Sequence, residues 1–242
     1  SHAVSYSIIS FQCAWLWTYY PSEWAVAFLD KEPEAKKEKA ISLVKSYGFE
    51  IEPVNINKSG SSWEISKEDN KKLIQPLSSV KGVGAAAVQQ ILEHRPFTNA
   101  ENLLFTKEVS YGKLNKKVLD SLCRAGALDS LVDEQFTGRK HFWSACIVDR
   151  PKTKKKLQDN IEKYKEEGDF SKQEIIEFKS ELTGTFPLHM IVTKSVLAKL
   201  SERGIQSISQ CVEDMEEPPE TVVCWFIPRK ITEKKNKRGK TY

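Results

Sequence analysis

The 242-residue sequence has no apolar run approaching the roughly 20 residues of a membrane-spanning helix, and no basic-then-apolar export signal at its start. A membrane partner is therefore not expected, and the setting expected is cytoplasmic. Cysteine is sparse and scattered: Cys13, Cys123, Cys146, Cys211 and Cys224 show none of the paired spacings of a zinc site or a disulfide framework. Free thiols and no metal site are the expectation. The chain opens on Ser1 without an initiator methionine, so either residues upstream have been removed or the chain is one piece of a larger protein. Net charge is only +4, too small to argue for a polyanion partner if it were evenly spread.

The charge is uneven. Lys152, Lys154, Lys155 and Lys156 form one basic cluster, and Arg229, Lys230, Lys234, Lys235, Lys237, Arg238 and Lys240 form another, whereas Glu213 to Glu220 is acidic. Basic clusters attract polyanions through counterion release, although a solvated charged face is the commoner fate of a single lysine run. The stretch with more specific chemistry is Val80 to Arg95, VKGVGAAAVQQILEHR. Two glycines one residue apart lead through small residues into an amphipathic helix. A hairpin that puts Gly82 and Gly84 at a helix start leaves backbone N–H groups bare at the positive end of the helix, where a nucleic-acid phosphate can be held. An ordinary glycine-containing turn between packed helices fits these residues equally well.

Periodicity places the other elements. Val4 to Leu29 reads as a helical hairpin, with Pro21 starting its second helix and Trp15, Trp17, Tyr19 and Tyr20 expected in the core, base stacking being the alternative. A third helix is expected between Lys31 and Gly48, then short strands at Phe49 to Val54 and Ser62 to Ile65 flanking a turn-rich segment. The segment KLNKKVLDSLCRAGALDSL puts Leu114, Val118, Leu119, Leu122 and Leu128 on one helical face, with a turn at Gly126, and would make the second half of a double hairpin. Glu101 to Phe105 reads as core. Lys140 to Glu167 reads as a helix interrupted at Pro151 whose charged second half is an exposed linker. Helices at Lys172 to Leu182 and Val196 to Arg203 follow, and Thr221 to Ile227 is a strand by its β-branched and aromatic content.

Several of these segments together resemble the C-family of bacterial replicative polymerases, the DNA polymerase III alpha subunits. The opening SHAVSYSIISFQCAWLWTYYPSEWAVAFL is similar to the family's fingers segment, with its Ser-His-Ala run and Tyr-Pro-x-Glu-aromatic turn. PVNINKSGSSWEI, LSSVKGVGAAAVQQILEHR and VLDSLCRAGALDSL resemble, in the family's order, its Asn-x-Ser segment, its Lys-Gly-Val-Gly hairpin and its Gly-Ala-(Phe/Leu)-Asp repeat. KSELTGTFPLHMIV is similar to a later family segment, with Pro187 ahead of His189 where the family has the reverse. TVVCWFI with KKNKRGKTY is similar to the start of the family's OB-fold.

The resemblance implies a mainly α chain with small β elements. Residues 1–72 would be a fingers segment, 73–135 a tandem helix-hairpin-helix region, 136–217 a helical linker near a clamp, and 218–242 the truncated start of an OB-fold. It implies a DNA-directed DNA polymerase, a nucleotidyltransferase, in which this chain contributes to DNA replication but lacks the palm carboxylates and is not active alone. The two Mg²⁺ ions of such an enzyme would be held by that missing palm. His2, with Ser1 beside it, would contact the incoming nucleotide. Lys81, Gly82, Val83, Gly84 and Ala85 would form the phosphate-binding turn, Lys113, Lys116 and Lys117 would assist at the second hairpin, and Lys235, Lys237, Arg238 and Lys240 would meet template strand. Implied partners are primer-template DNA, an N-terminal polymerase half and a sliding clamp, in a bacterial or phage-infected cell. Because Ser1 falls inside a polymerase motif, a split or intein-interrupted gene is expected. The alternative is a non-catalytic helix-hairpin-helix module of a repair or recombination protein, which would have no use for the Ser-His-Ala and Tyr-Pro-x-Glu segments.

Overall fold

Pro21 makes the first break. Helix α1 (His2–Tyr19) ends at Tyr20, and α2 (Pro21–Lys31) takes the proline at its first position, where the missing N–H has no intrahelical partner to lose. The computed structural model describes residues 2–33, 36–110, 112–185, 188–213 and 221–226, with the backbone alone at His2, Leu188, His189, Ser209, Val212 and Glu213. The chain divides into two compact units, Ser1–Pro187 and Leu188–Tyr242.

Two cores hold the first unit together. The smaller joins α2, α3 (Lys37–Ser46) and a three-stranded sheet through Ala25, Leu29, Ala40, Ile41, Val44, Phe49, Trp63 and Leu73. The sheet order is β1 (Glu50–Glu52), β3 (Lys72–Ile74), β2 (Glu64–Ile65), with β1 parallel and β2 antiparallel to the central strand. Strand β3 breaks the expected two-strand picture. Its KLI carries only one fully buried residue, Leu73, too short an alternation to read from sequence.

Helix α1 departs from expectation. Trp17 does enter the smaller core's edge, 5.1 Å from Trp24 and 4.7 Å from Tyr47 between ring centroids. Trp15, Tyr19 and Tyr20 do not, being 44%, 64% and 49% exposed, and the two tyrosine rings instead lie in tilted contact with Trp15. The physical reason is that α1 has no Asp, Glu, Lys or Arg and carries apolar residues on every side, while only one side meets α2. Helical spacing shows that such residues can pack; it does not supply the surface to pack against.

The larger core is built on four further helices of the hairpin region and its continuation: α4 (Ala85–His94), α5 (Ala100–Phe105), α6 (Lys116–Ala125) and α9 (Lys172–Thr183). Leu103 and Leu104 of α5 are buried, as the core reading of Glu101 to Phe105 expects. Helix α7 (Arg139–Trp143), a π-helical turn at Ser144–Val148 and α8 (Lys154–Lys163) also belong to this core. Phe142, Ala145, Cys146, Ile147 and Leu157 are buried there, so 139–163 is not an exposed linker. The charge of KKKLQDNIEK hid a narrow stripe in which Leu157 and Ile161, four residues apart, share a face.

Three long-range ties fix the turn-rich segment after β1. Asn57 receives the Phe97 N–H on its Oδ1 and donates from Nδ2 to the Phe97 carbonyl, both at 2.8 Å. The Ile56 N–H reaches the Ala127 carbonyl at 2.9 Å, and Arg95 Nη1 reaches the Ser59 carbonyl at 2.9 Å.

In the second unit, α10 (Leu188–Ile191) precedes α11 (Lys194–Glu202), which is capped by Thr193. Strand β4 (Gln206–Ser207) runs parallel to β5 (Cys224–Trp225), with α12 (Ile208–Glu213) after β4. Of the strand expected at 221–227, two residues pair. Of the OB-fold start expected over 218–242, only residues 221–226 are described, and the basic turn lies outside the described residues.

Candidate nucleic-acid interface

The first hairpin is a 3₁₀ turn at Leu77–Ser79, a tight connection, and α4. Val80 and Val83 point into the core and the Val83 N–H closes the turn on the Val80 carbonyl at 3.0 Å. The left-handed position is Gly82, with φ +91°. A Cβ there would also stand 3.1 Å from Ser121 Oγ on α6, so glycine is required twice over. Gly84 is different: it is the extended N-cap of α4 at φ −83°, and a Cβ on it would meet nothing within 4 Å. Its smallness keeps the approach to the helix start open.

Hydrogen-bond accounting shows what this turn offers. The Lys81 N–H is given to the Leu182 carbonyl at 2.8 Å and the Val83 N–H to Val80, while Ala87 and Val88 donate to the Gly84 carbonyl. Among the described residues the N–H groups of Gly82, Gly84, Ala85 and Ala86 have no acceptor. They lie at the positive end of a ten-residue helix with no acidic residue in its first turn and no side-chain cap. The Lys81 ammonium is 71% exposed and 3.9 Å from Glu181 Oε1, a contact weak enough to yield to another anion.

The second hairpin repeats the arrangement with different chemistry. Asn99 caps α5 and Asn115 caps α6 by accepting the Val118 N–H at 3.1 Å. The Lys113 and Leu114 N–H groups turn back to the Ser110 carbonyl, which leaves those of Asn115, Lys116 and Lys117 without an acceptor among the described residues. Lys113 and Lys117 form no ion pair there, while Lys116 Nζ donates to the Val148 carbonyl at 2.7 Å. Helix α6 buries Val118, Leu119, Leu122 and Cys123 and stops at Gly126, φ +90°, with the Ala127 N–H returning to the Leu122 carbonyl. Asp129 then meets Arg139 Nη2 at 2.5 Å. Burial pushes the Asp129 carboxyl up from its usual range, and the guanidinium opposes that.

Two contacts brace the hairpins on each other. Gln90, buried on α4, accepts the Ser110 N–H on its Oε1 at 2.9 Å, and Ser121 Oγ of α6 lies close against the open side of Gly82. Helix α9 adds a third support, since Leu182 holds Lys81 and the Thr183 carbonyl accepts from Gln75 Nε2 at 3.1 Å. Gln90, Asn115, Ser121, Leu182 and the Ala86 N–H were not singled out by sequence. A polar residue on the apolar face of α4 and an Asn three residues before Val118 were the available signals.

His2 is described only as the first backbone position of α1, and Ser1, Lys235, Lys237, Arg238 and Lys240 lie outside the described residues. Among the described residues no three His, Cys, Asp or Glu side chains converge to hold a metal ion. No described helix is long and apolar enough to cross a membrane.

Comparison with known proteins bears on this site directly. A family model described as helix-hairpin-helix motif matches residues 48–137, which contain both hairpins. The DNA polymerase III subunit alpha of Helicobacter pylori strain J99 is 32% identical over 163 residues, 64% of this chain and 14% of the relative. Those of Campylobacter jejuni and Thermus aquaticus are each 34% identical, over 133 and 139 residues, covering 53% and 55% of this chain and 11% of either relative. The chain thus spans about one-seventh or less of the length of these curated relatives. With its paired hairpins, mainly helical architecture and matching segments, this chain is similar to DNA polymerase III alpha subunits over a region that contains the helix-hairpin-helix motif.

Proposed function

We propose that this chain is the fingers and duplex-holding portion of a DNA polymerase III alpha subunit, acting in DNA replication when joined to a polymerase portion that it does not itself carry. The observation that carries this reading is the pair of mutually braced hairpins, each presenting free N–H groups at a helix start. Such donors suit phosphate oxygens and ignore base edges, so the grip is independent of sequence, as a replicative enzyme needs. Lys81, Lys113 and Lys117 supply nearby cations. His2 and Ser1 are assigned to the incoming nucleotide, and Lys235, Lys237, Arg238 and Lys240 to template strand, on their resemblance to the relatives' segments. The chain alone is inactive in this reading. Mg²⁺ would supply the Lewis acidity for nucleotidyl transfer from carboxylates in the joined portion, and a sliding clamp is a further partner.

Helix α1 supports the polymerase reading over a free-standing repair module, because an uncharged helix that is apolar on all sides suits the interior of a larger assembly. The test is primer-template binding followed by fluorescence anisotropy across a salt series. Binding that weakens steeply with salt and is indifferent to sequence is expected; no binding at low salt would defeat the reading. Primer extension that requires both this chain and the palm-bearing portion would separate it from the repair-module alternative.

A further inference from the structure

The basic cluster at 152–156 has a structural placement that the paired hairpins do not account for. Its loop is fastened to the second hairpin by two reciprocal hydrogen bonds: Lys116 Nζ donates to the Val148 carbonyl at 2.7 Å, and Arg150 Nη1 donates to the Leu114 carbonyl at 3.1 Å. The lysines therefore ride on the same rigid body as the candidate phosphate turn. Their charges are not equally spent. Lys154 is paired with Glu101 at 2.7 Å, and Lys156 and Lys163 share Asp149 at 3.7 and 3.2 Å. Lys152 and Lys155 are exposed and form no ion pair among the described residues. Nor do these lysines serve α8, because cations in the first turn oppose the helix dipole.

We propose that Lys152 and Lys155 bind the phosphate backbone of duplex DNA one step beyond the second hairpin, extending the track that the two hairpins begin. The inference rests on the reading of the hairpins as a duplex grip. Continuity with that surface favours DNA over an acidic protein as the occupant, since a backbone held at Lys117 continues past its neighbours while a separate partner would need its own apolar contact.

The experiment compares the full chain, a Lys152→Glu/Lys155→Glu double variant and a Gly84→Val hairpin variant. Each is titrated with a short duplex and one about 10 base pairs longer, at several salt concentrations. Glutamate at position 155 suits a helix start, so the reversal does not endanger the fold, and unchanged thermal unfolding checks this. The expected result is an affinity for the longer duplex reduced by about tenfold or more at ~0.1 M salt, with the slope of log K against log salt flatter by about 2. Lys152 and Lys155 should also be shielded by duplex from acetylation, read by mass spectrometry, while Lys71 stays reactive. Unchanged affinity, slope and acetylation at the two lysines, with binding lost in the hairpin variant, would overturn this inference and leave the hairpin reading standing. No duplex binding by the unaltered chain would overturn both.

Discussion

At the scale of single residues, the two glycines of the first hairpin do different work, and this separates stability from binding. Gly82 occupies the left-handed region and faces Ser121 Oγ, so Gly82→Ala should cost about 1–2 kcal/mol and lower the urea midpoint. Gly84 has an ordinary backbone and open space around its Cα, so Gly84→Ala should unfold like the parent but bind duplex more weakly, because its methyl group stands beside the free N–H groups. Equal unfolding shifts in the two variants would contradict this division. The cysteines make a second residue-scale prediction. Burial pushes the thiols of Cys123 and Cys146 up, Cys146 also feeling the charge of Asp133. A thiol reagent at neutral pH should therefore spare both in the folded chain and modify exposed Cys13 first, with the two buried thiols reacting only after denaturant is added.

At the scale of elements, α8 is held by its charges as well as by Leu157 and Ile161. The Lys163 hydrogen bond, followed by the charge of Lys156, keeps the Asp149 carboxyl below its usual range. A carboxyl whose folded-state pKa is depressed stabilises the fold above its unfolded pKa, about 3.9, and loses that contribution as pH falls through the folded value. Asp149→Asn should therefore lower the urea midpoint at pH 7, and the gap to the parent should close as pH is brought below the ordinary carboxylate range. A gap that stays constant with pH would place the effect in packing instead. The helices α4 and α6 were legible from sequence because their signals are local: Gly84 at the start of α4, Gly126 at the end of α6, and apolar residues three and four apart. Strand β3 and the burial of α7 and α8 were not, because a three-residue strand has no period and a charged helix shows its buried stripe only against a partner.

For the molecule as a whole, the telling feature is an 18-residue helix without a charge whose apolar side chains remain in solvent. Beside it, Cys13, Trp17, Trp24, Phe28, Leu43 and Tyr47 line an apolar cleft of about 230 Å³. Under the proposed reading, surface of this kind is the place where a joined polymerase portion would pack. The isolated chain should bind a hydrophobic dye and associate with itself as concentration rises. Adding the palm-bearing portion should suppress both and protect Cys13 from thiol reagents. Dye binding and Cys13 reactivity unaffected by that portion would show that α1 is not where the two meet.

Sequence alone determined the mainly helical class, the two hairpins and the family resemblance, because Gly82, Gly126, Pro21 and the periods of α4 and α6 act through their immediate neighbours. Only the tertiary structure decided which N–H groups remain free, since Lys81 loses its own to Leu182, far along the chain. It also decided that Gln90 ties the hairpins together with Ser121 lying against the Gly82 turn, that Asn57 fastens onto the Phe97 peptide, and that most apolar side chains of α1 stay exposed among the described residues. Those outcomes depend on which distant backbone and side-chain atoms fold back to within hydrogen-bonding reach, and local spacing carries no record of that.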